Sequence, residues 1–593
     1  MAGPSAAHRP PIRAAVVVAL LLLATVDERG FALVNDCLQT LSTAFALVHD
    51  GEVGISRNTW FGTPRGSLEC VSQYGMGQSL LETLPVFVAR ALWARHPGTP
   101  TAPLFALIPI AGLATAAWGS ARAALALGAG PLSSILFGLA LPLATPLLGY
   151  AASGLSESLQ AGAVSLLVAA TIVLRTEERC APGWEVTAGL AAGAALLAKS
   201  FLVVVVGPLA LVAALGAGGG AAFGRVRWRV VVSGGLLASA WALFEIVRFG
   251  RLFGGYEGLG FTHPLVDGLL RLTIFPNKGL LWYAPLALLA PAGLAVLWKK
   301  DRLLAASLLV AGGALLILVA RWYAWDGQVG WGPRLLVPLL PILVVLASAA
   351  SVASRLRFAA LVLGVLGIAV NALSLVVPFP SVYALAAVAG TPESASSRLA
   401  STASWSPIRL HARLLVEKAR GGDVAGRLRA GALSDLNPPL VPAGELPPFC
   451  TESLSWTFWG RSWVFPSEAV DPYRLALIDQ MVRALDLGRF ETALNRARVV
   501  IRTGGAAPDP GDVAVAADAA LRLGRTAEAD QLLSLVAGSC EPAVAFVRAS
   551  RGLDVSCVPE PARRGFLASV AEAKRLGLPV TGWSRRIVGR QRD

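Results

Sequence analysis

What most constrains this chain is a succession of apolar runs, most of them long enough to cross a bilayer, with short basic loops between many of them. A spanning helix needs about 20 mostly apolar residues. Runs fall at 101–119, 131–150, 157–175, 186–198, 201–217, 229–248, 279–298, 303–322, 334–353 and 358–378. A shorter run at 12–26 follows Arg9 and Arg13. It reads as a first span, with a cleaved signal peptide as the alternative. Of the 593 residues, 55% are hydrophobic and 15% charged, which excludes an ordinary soluble enzyme and a disordered chain.

Charge sets the topology. The segment 79–95 contains Glu82, Pro85 and Arg90. If it lies along the interface, one side of the membrane collects Arg9, Arg13, Arg122, Arg175, Arg179, Arg225, Arg227 and Arg229. The same side also takes Lys299, Lys300, Arg302, Arg355 and Arg357. The positive-inside rule makes that side cytoplasmic. The expectation is eleven spans, a cytoplasmic N-terminus and an extracytoplasmic C-terminal domain, in a bacterial inner membrane. The net charge of +14 then marks membrane orientation rather than nucleic-acid binding.

Polar chemistry collects in the outer loops. The first, about 27–100, is too long for a simple connector. Its Asp36 suits a base or a hydroxyl-orienting carboxylate, the alternative being a solvated loop acid. Glu157 stands at the mouth of a helix, where an acid faces a cavity or caps the helix dipole. The loop 245–286 carries Arg248, Arg251, His263, Arg271 and Lys278. Lys278, at a helix start, is placed to meet a phosphate or to anchor at the interface with Trp282 and Tyr283. The loop 320–341 sets Asp326 and four aromatic residues between Arg321 and Arg334, as a sugar-stacking wall or as an interfacial belt.

The ordered set of motifs resembles the bacterial GT-C membrane glycosyltransferases of the family 39-like type, which includes protein O-mannosyltransferases and the lipid A aminoarabinose transferase. The resemblance covers about residues 12–378. It is carried by a short first span, an Asp in a long outer loop, SQYGMGQSLL, LLGY followed by SGLSESLQ, VRFGRLFGGYEG, FPNKGLLWYAPLALL and WDGQVGWGPRLLVPLLP.

The resemblance implies a polyprenyl phosphate sugar as donor, which accounts for the lack of a nucleotide motif. It implies Asp36 as catalytic base, with Glu157 holding the acceptor or assisting. Lys278 and Arg334 are assigned to the donor phosphate, with Arg248 and Arg321 as further candidates. Tyr74, Tyr256, Trp331 and Asp326 are assigned to the acceptor or sugar. The acceptor is a glycan, lipid or protein hydroxyl. No cofactor is certain; some relatives use a divalent metal, but the residues here do not require one. The chain departs from the pattern at Asn35-Asp36-Cys37, where many relatives have Asp-Glu. It also has Ser72-Gln73-Tyr74-Gly75 where the aminoarabinose-transferase type has a Lys-Pro pair.

The fold class expected is therefore all-α and polytopic: a GT-C fold with about 11 spans and interface helices, plus an extracytoplasmic, mainly helical TPR-like domain. Residues 1–378 form the membrane domain. Residues 379–470 form a Pro/Ser/Trp-rich linker or docking region, whose SLSWTFWGRSWVF patch at 453–465 docks or binds sugar. Residues 471–593 form the helical domain, in which LGRFETALNRARVVI and LGRTAEADQLLSLV repeat at a spacing of 36, near the tetratricopeptide period of 34. That domain is a site for a protein partner or a structural cap. In an oxidising space Cys37–Cys70 and Cys540–Cys557 are plausible disulfides, and Cys180 is inside. A polytopic transporter or lipid-linked sugar flippase is the main rival. Against it, the two halves show no repeat, and no row of ionisable residues lies deep in the spans apart from Lys199 between two apolar runs. A scaffold with a degenerate site is the third reading.

Overall fold

The computed structural model describes residues 5–24, 35–57, 63–65, 69–151, 153–177, 181–215, 226–256, 260–352, 354–377, 379, 382–383, 392–420, 471–504 and 508–580. The described residues are mainly helical. Among the described residues, six helices are long and apolar enough to cross a membrane: Ala102–Ala126, Glu157–Thr176, Trp228–Phe249, Arg302–Arg321, Arg334–Ser351 and Arg357–Leu375. Pro131–Leu143, Gly183–Ala198 and Ser200–Ala214 are shorter apolar helices. The run at 279–298 is broken into Leu280–Tyr283, a 3-10 turn Pro285–Leu289 and Ala290–Lys300. Pro285 causes the break, since it supplies no amide hydrogen to the helix. Residues 12–23 of the first run lie in the helix Ser5–Leu23.

The chain divides into two compact units that do not follow the linear order. The first comprises Met1–Cys37, Gly75–Gln78 and Ala102–Ala469. Glu157–Thr176 and Arg334–Ser351 are buried along most of their length, whereas Trp228–Phe249 and Arg357–Leu375 are mostly outward-facing. In a bilayer, helices associate through close packing of small residues and through interhelical hydrogen bonds. Both occur between Ala102–Ala126 and Glu157–Thr176, where Ser165 Oγ donates to Ala116 O at 2.8 Å among buried alanines. At one end of this bundle basic residues meet acids. Arg122 pairs with Glu177, Arg175 Nε with Asp301 at 2.7 Å, and Arg227 Nε with Glu185 at 3.8 Å. Arg227 also donates to Leu174 O and Ala213 O, which joins the start of Gly183–Ala198 to the end of Val203–Ala214. These two helices are therefore an antiparallel hairpin, as two separate spans require.

The second unit comprises Leu38–Tyr74, Ser79–Thr101 and Val470–Asp593. Three short strands, Gly54–Ser56, Thr63–Arg65 and Glu69–Val71, form an antiparallel sheet in the order β1-β3-β2. The long first loop is thus largely structured. Its acids meet arginines of the C-terminal helices. Asp50 Oδ1 accepts from Arg496 at 2.6 Å, and Glu52 binds Arg489 at 2.7 Å and also Arg483. Gln480 Nε2 donates to Ser42 O and Gly54 O, and Tyr473 bonds His49 Nε2 at 3.1 Å. The helix Met76–Arg95 is not one of the candidate spans. Its outward row Leu80, Leu84 and Phe87, spaced by four and three residues, gives it an apolar face.

The helices Pro472–Asp486, Phe490–Thr503, Pro510–Arg522 and Thr526–Ser534 each pack on the next, and Pro542–Ser550 packs back on Pro510–Arg522 and against Glu560–Arg575. Both Leu-Gly-Arg repeats fall at a helix boundary, with Gly488 and Gly524 at φ 73° and 75°, a left-handed turn that favours glycine. The expected disulfides are not formed: Cys37, Cys70, Cys540 and Cys557 are thiols. Cys180, Cys450 and the 453–465 tryptophan patch lie outside the described residues.

Candidate active site

Two residues far apart in sequence converge on a third. Arg334 donates from Nη2 to Asp36 Oδ2, and from Nε to Glu157 Oε1 at 2.6 Å. Each element supplies one charge for a local reason. Asp36 lies in the first turn of Asn35–Asp50, and Glu157 opens Glu157–Thr176. Both are positions where a carboxylate meets the positive helix end. Arg334 begins a 3-10 turn, Arg334–Leu339, immediately after Pro333. Glu157 is 1% exposed, and its Oε2 has no hydrogen-bond partner. A buried carboxylate oxygen without a donor is costly, and it suits a site where a ligand hydroxyl donates.

The loop before Arg334 is held from several sides. Lys278 Nζ donates to Gly330 O at 3.0 Å, Gln328 O at 3.4 Å and the Tyr383 hydroxyl at 2.8 Å. Tyr150 OH donates to Trp331 O at 2.8 Å. A side chain on Gly330 would come within 2.8 Å of Arg334 Cδ and 3.0 Å of the Tyr150 hydroxyl, so any larger residue there displaces the Arg334 side chain. The FPNKG stretch is locked too. Asn277 Nδ2 donates to Leu399 O and Thr402 O, and Ser406 Oγ donates to Pro276 O. The segment after the last span therefore packs on the Lys278 turn.

The ten residues named from sequence separate clearly. Asp36, Glu157 and Arg334 form one hydrogen-bonded cluster. Lys278 lies in the adjoining loop and feels the charges of Asp326 and Arg334. Its three N–H bonds are spent on protein oxygens, so it shapes the loop here. Arg248 is neutralised by Glu245 at 2.6 Å, with both buried. Arg321 is exposed and donates to Phe261 O at 2.8 Å. Trp331 is fully buried. Its indole N–H donates to Asn371 Oδ1 at 2.8 Å, and its ring packs against Tyr283 and His411. A sugar has no open face of Trp331 to stack on, because that ring fills the core. Tyr74 belongs to the second unit, where its hydroxyl accepts from Gln73 Nε2 at 2.9 Å. The Tyr256 side chain lies outside the described residues.

Sequence reasoning passed over three residues as members of the site: Lys199, Tyr150 and Tyr383. Lys199 had a visible signal, being the sole charge between Glu185 and Arg225. Tyr150 lay inside the LLGY motif without a role, and nothing in the sequence around Tyr383 marks it. Among the described residues, no group of three or more His, Cys, Asp or Glu is placed to hold a metal ion.

No protein-family model matches the chain, and no curated protein does. Among solved structures, the chain is similar to ArnT from Cupriavidus metallidurans bound to undecaprenyl phosphate. That match has 16% identity and a TM-score of 0.40, over 82% of this chain and 79% of that one. It is similar as well to the Archaeoglobus fulgidus oligosaccharyltransferase in complex with Zn and sulfate, at 13% identity and a TM-score of 0.36, over 73% and 58%. AglB from Archaeoglobus fulgidus, in complex with an inhibitory peptide and a dolichol-phosphate, matches at 12% identity and a TM-score of 0.36, over 74% and 61%. These solved structures are GT-C fold glycosyltransferases.

Proposed function

We propose that the protein is an integral membrane glycosyltransferase that moves a sugar from a polyprenyl phosphate donor to an acceptor hydroxyl on the extracytoplasmic face. The observation that carries this reading is the convergence of Asp36, Glu157 and Arg334. It supplies a base, a hydroxyl acceptor and a phosphate-binding cation within one hydrogen-bonded group.

Asp36 takes the proton of the acceptor hydroxyl as that oxygen bonds to the anomeric carbon. The bond from the anomeric carbon to the phosphate oxygen breaks, and the polyprenyl phosphate leaves with the electron pair. A single displacement inverts the anomeric centre. The leaving phosphate gains negative charge, which Arg334 stabilises in a site of low dielectric. Glu157 orients the acceptor through Oε2, the oxygen that Arg334 does not bond. Lys278 sets the position of Arg334 by fixing the 328–330 backbone.

The basic ends that pair at Arg122, Arg175 and Arg227 are taken as cytoplasmic by the positive-inside rule. The second unit is then extracytoplasmic, with a TPR-like array suited to a protein or acceptor partner. The test is transfer by the purified protein in nanodiscs, with a panel of polyprenyl phosphate sugars and mass detection of released polyprenyl phosphate. Sugar transfer that Asp36→Asn abolishes is the expected result. Export or flipping of the intact donor, with no cleavage, overturns it in favour of a flippase.

A further inference from the structure

The stretch 328–331 is neither helix nor strand. Backbone carbonyls taken out of water need donors, and here side chains supply one to each of the four in succession. Gln328 O accepts from Lys278 Nζ at 3.4 Å, and Val329 O from Arg334 Nη1 at 3.4 Å. Gly330 O accepts from Lys278 Nζ at 3.0 Å, and Trp331 O from Tyr150 OH at 2.8 Å. The guanidinium that binds Asp36 and Glu157 is therefore bonded to the middle of this stretch. Where the carbonyls lie decides where the guanidinium lies.

Lys278 is fully buried. A buried ammonium is costly unless its N–H groups find acceptors, and it has three of them to place. Two go to Gln328 O and Gly330 O, and the third goes to Tyr383. The Tyr383 hydroxyl accepts from Nζ at 2.8 Å and donates to Gly330 O at 3.3 Å. Nζ, this hydroxyl and Gly330 O thus close a triangle of hydrogen bonds. Tyr383 follows the last span, Arg357–Leu375, in the segment that reads as a linker from sequence. The same segment reaches the stretch at other points. Phe379 meets Tyr150 edge-on at 5.6 Å between ring centres, and His411 meets Trp331 edge-on at 4.6 Å.

We infer that Tyr383 is a positioning residue of this site: its hydroxyl aims the Lys278 ammonium at Gln328 O and Gly330 O, and so sets where Val329 O holds Arg334. The segment after the last span is then a working part of the site. The consequence for transfer rests on the transferase reading given above, but the placement of the stretch does not. With the hydroxyl gone, the ammonium keeps two carbonyl acceptors and Gly330 O loses one of its two donors. The stretch and the guanidinium bonded to it are then free to shift.

The test is Tyr383→Phe, which keeps the ring and removes only the hydroxyl. It is combined with Lys278→Met in a double-mutant cycle on the full-length protein in nanodiscs. Y383F lowers the thermal unfolding midpoint by about 1–3 °C. In the K278M background the same change costs less than about half as much, because the group that the hydroxyl aims is gone. A wild-type midpoint in Y383F, or equal losses in the two backgrounds, overturns the role. If K278M does not accumulate, the Y383F midpoint alone decides: a loss supports the role and a wild-type value overturns it. For transfer, Y383F lowers kcat about tenfold or more. KM for donor and acceptor stays within about twofold, since a displaced guanidinium fails the leaving phosphate in the transition state rather than the bound substrates. An unchanged kcat, with or without a rise in KM, overturns the positioning role. Absence of transfer by the wild type with every donor counts against the transferase reading only, because the midpoint cycle stands without it.

Discussion

Arg334 and Asp36 lie 298 residues apart in sequence and share a charge-assisted hydrogen bond. The same guanidinium holds Glu157, 177 residues away from it. Charge-assisted bonds of this kind are roughly twice as strong as neutral ones. In a buried site they persist only while every charge has its partner.

Asp36→Asn keeps the fold and removes the base. The variant is expected to lose transfer by roughly 10²–10⁴-fold, with donor binding retained. Parallel single-turnover and lipid-binding measurements check it. Normal turnover in Asp36→Asn would falsify the base assignment.

Arg334→Met leaves two carboxylates facing each other without their cation. Breaking a buried ionic group in this way costs about 3–5 kcal/mol. The expected result is a large drop in thermal midpoint, with partial recovery on adding Glu157→Gln. Fluorescence-detected thermal unfolding in detergent checks both.

Gly330→Ala puts a methyl group where Arg334 Cδ and the Tyr150 hydroxyl already sit. Arg334 must shift, so the rate of transfer falls at least tenfold while expression stays near normal. Gly364, with open space at its Cβ position, is the control.

His49 gives the second unit a pH dependence. Burial, helped by Arg90 and Arg496, lowers its pKa from 6.5 to about 4. Between those values the unfolded chain binds a proton that the folded unit does not. Stability is therefore complete above pH 6.5 and falls as pH drops toward 4. Denaturation at pH 7.5 and pH 4.5 is expected to show this loss in wild type and a smaller one in His49→Gln.

A reporter fused after Asp593 checks the orientation. Activity of an extracytoplasmic reporter is expected. Activity only of a cytoplasmic one overturns the side assigned to the basic ends.

The helices were legible in the sequence because a bilayer demands long apolar runs, and ten such runs interrupted by charge leave few alternatives. The grouping of Asp36 and Glu157 was legible as motif order, since carboxylates in outer loops stand out against apolar neighbours. The internal ties were not. Lys278 reads as a phosphate-binding cation from its place in FPNKG, but three oxygen acceptors from residues 328–383 occupy its ammonium. Trp331 reads as a sugar platform from its aromatic neighbours, yet Asn371 and His411, supplied by later helices, enclose it. A linear pattern shows which residues are costly to bury. It does not show which distant oxygens or rings meet that cost.

The ion pairs of the second unit also set a schedule for synthesis. Asp50 emerges 446 residues before the Arg496 that binds it. At about 5–20 residues per second, the first loop waits roughly 20–90 s for its partner. Through that interval Asp50 and Glu52 lack the arginines that bind them in the folded unit. The loop can reach its final contacts only when the last helices arrive. A chain cut short before residue 472 therefore carries a membrane bundle whose long first loop has lost the helices it folds against.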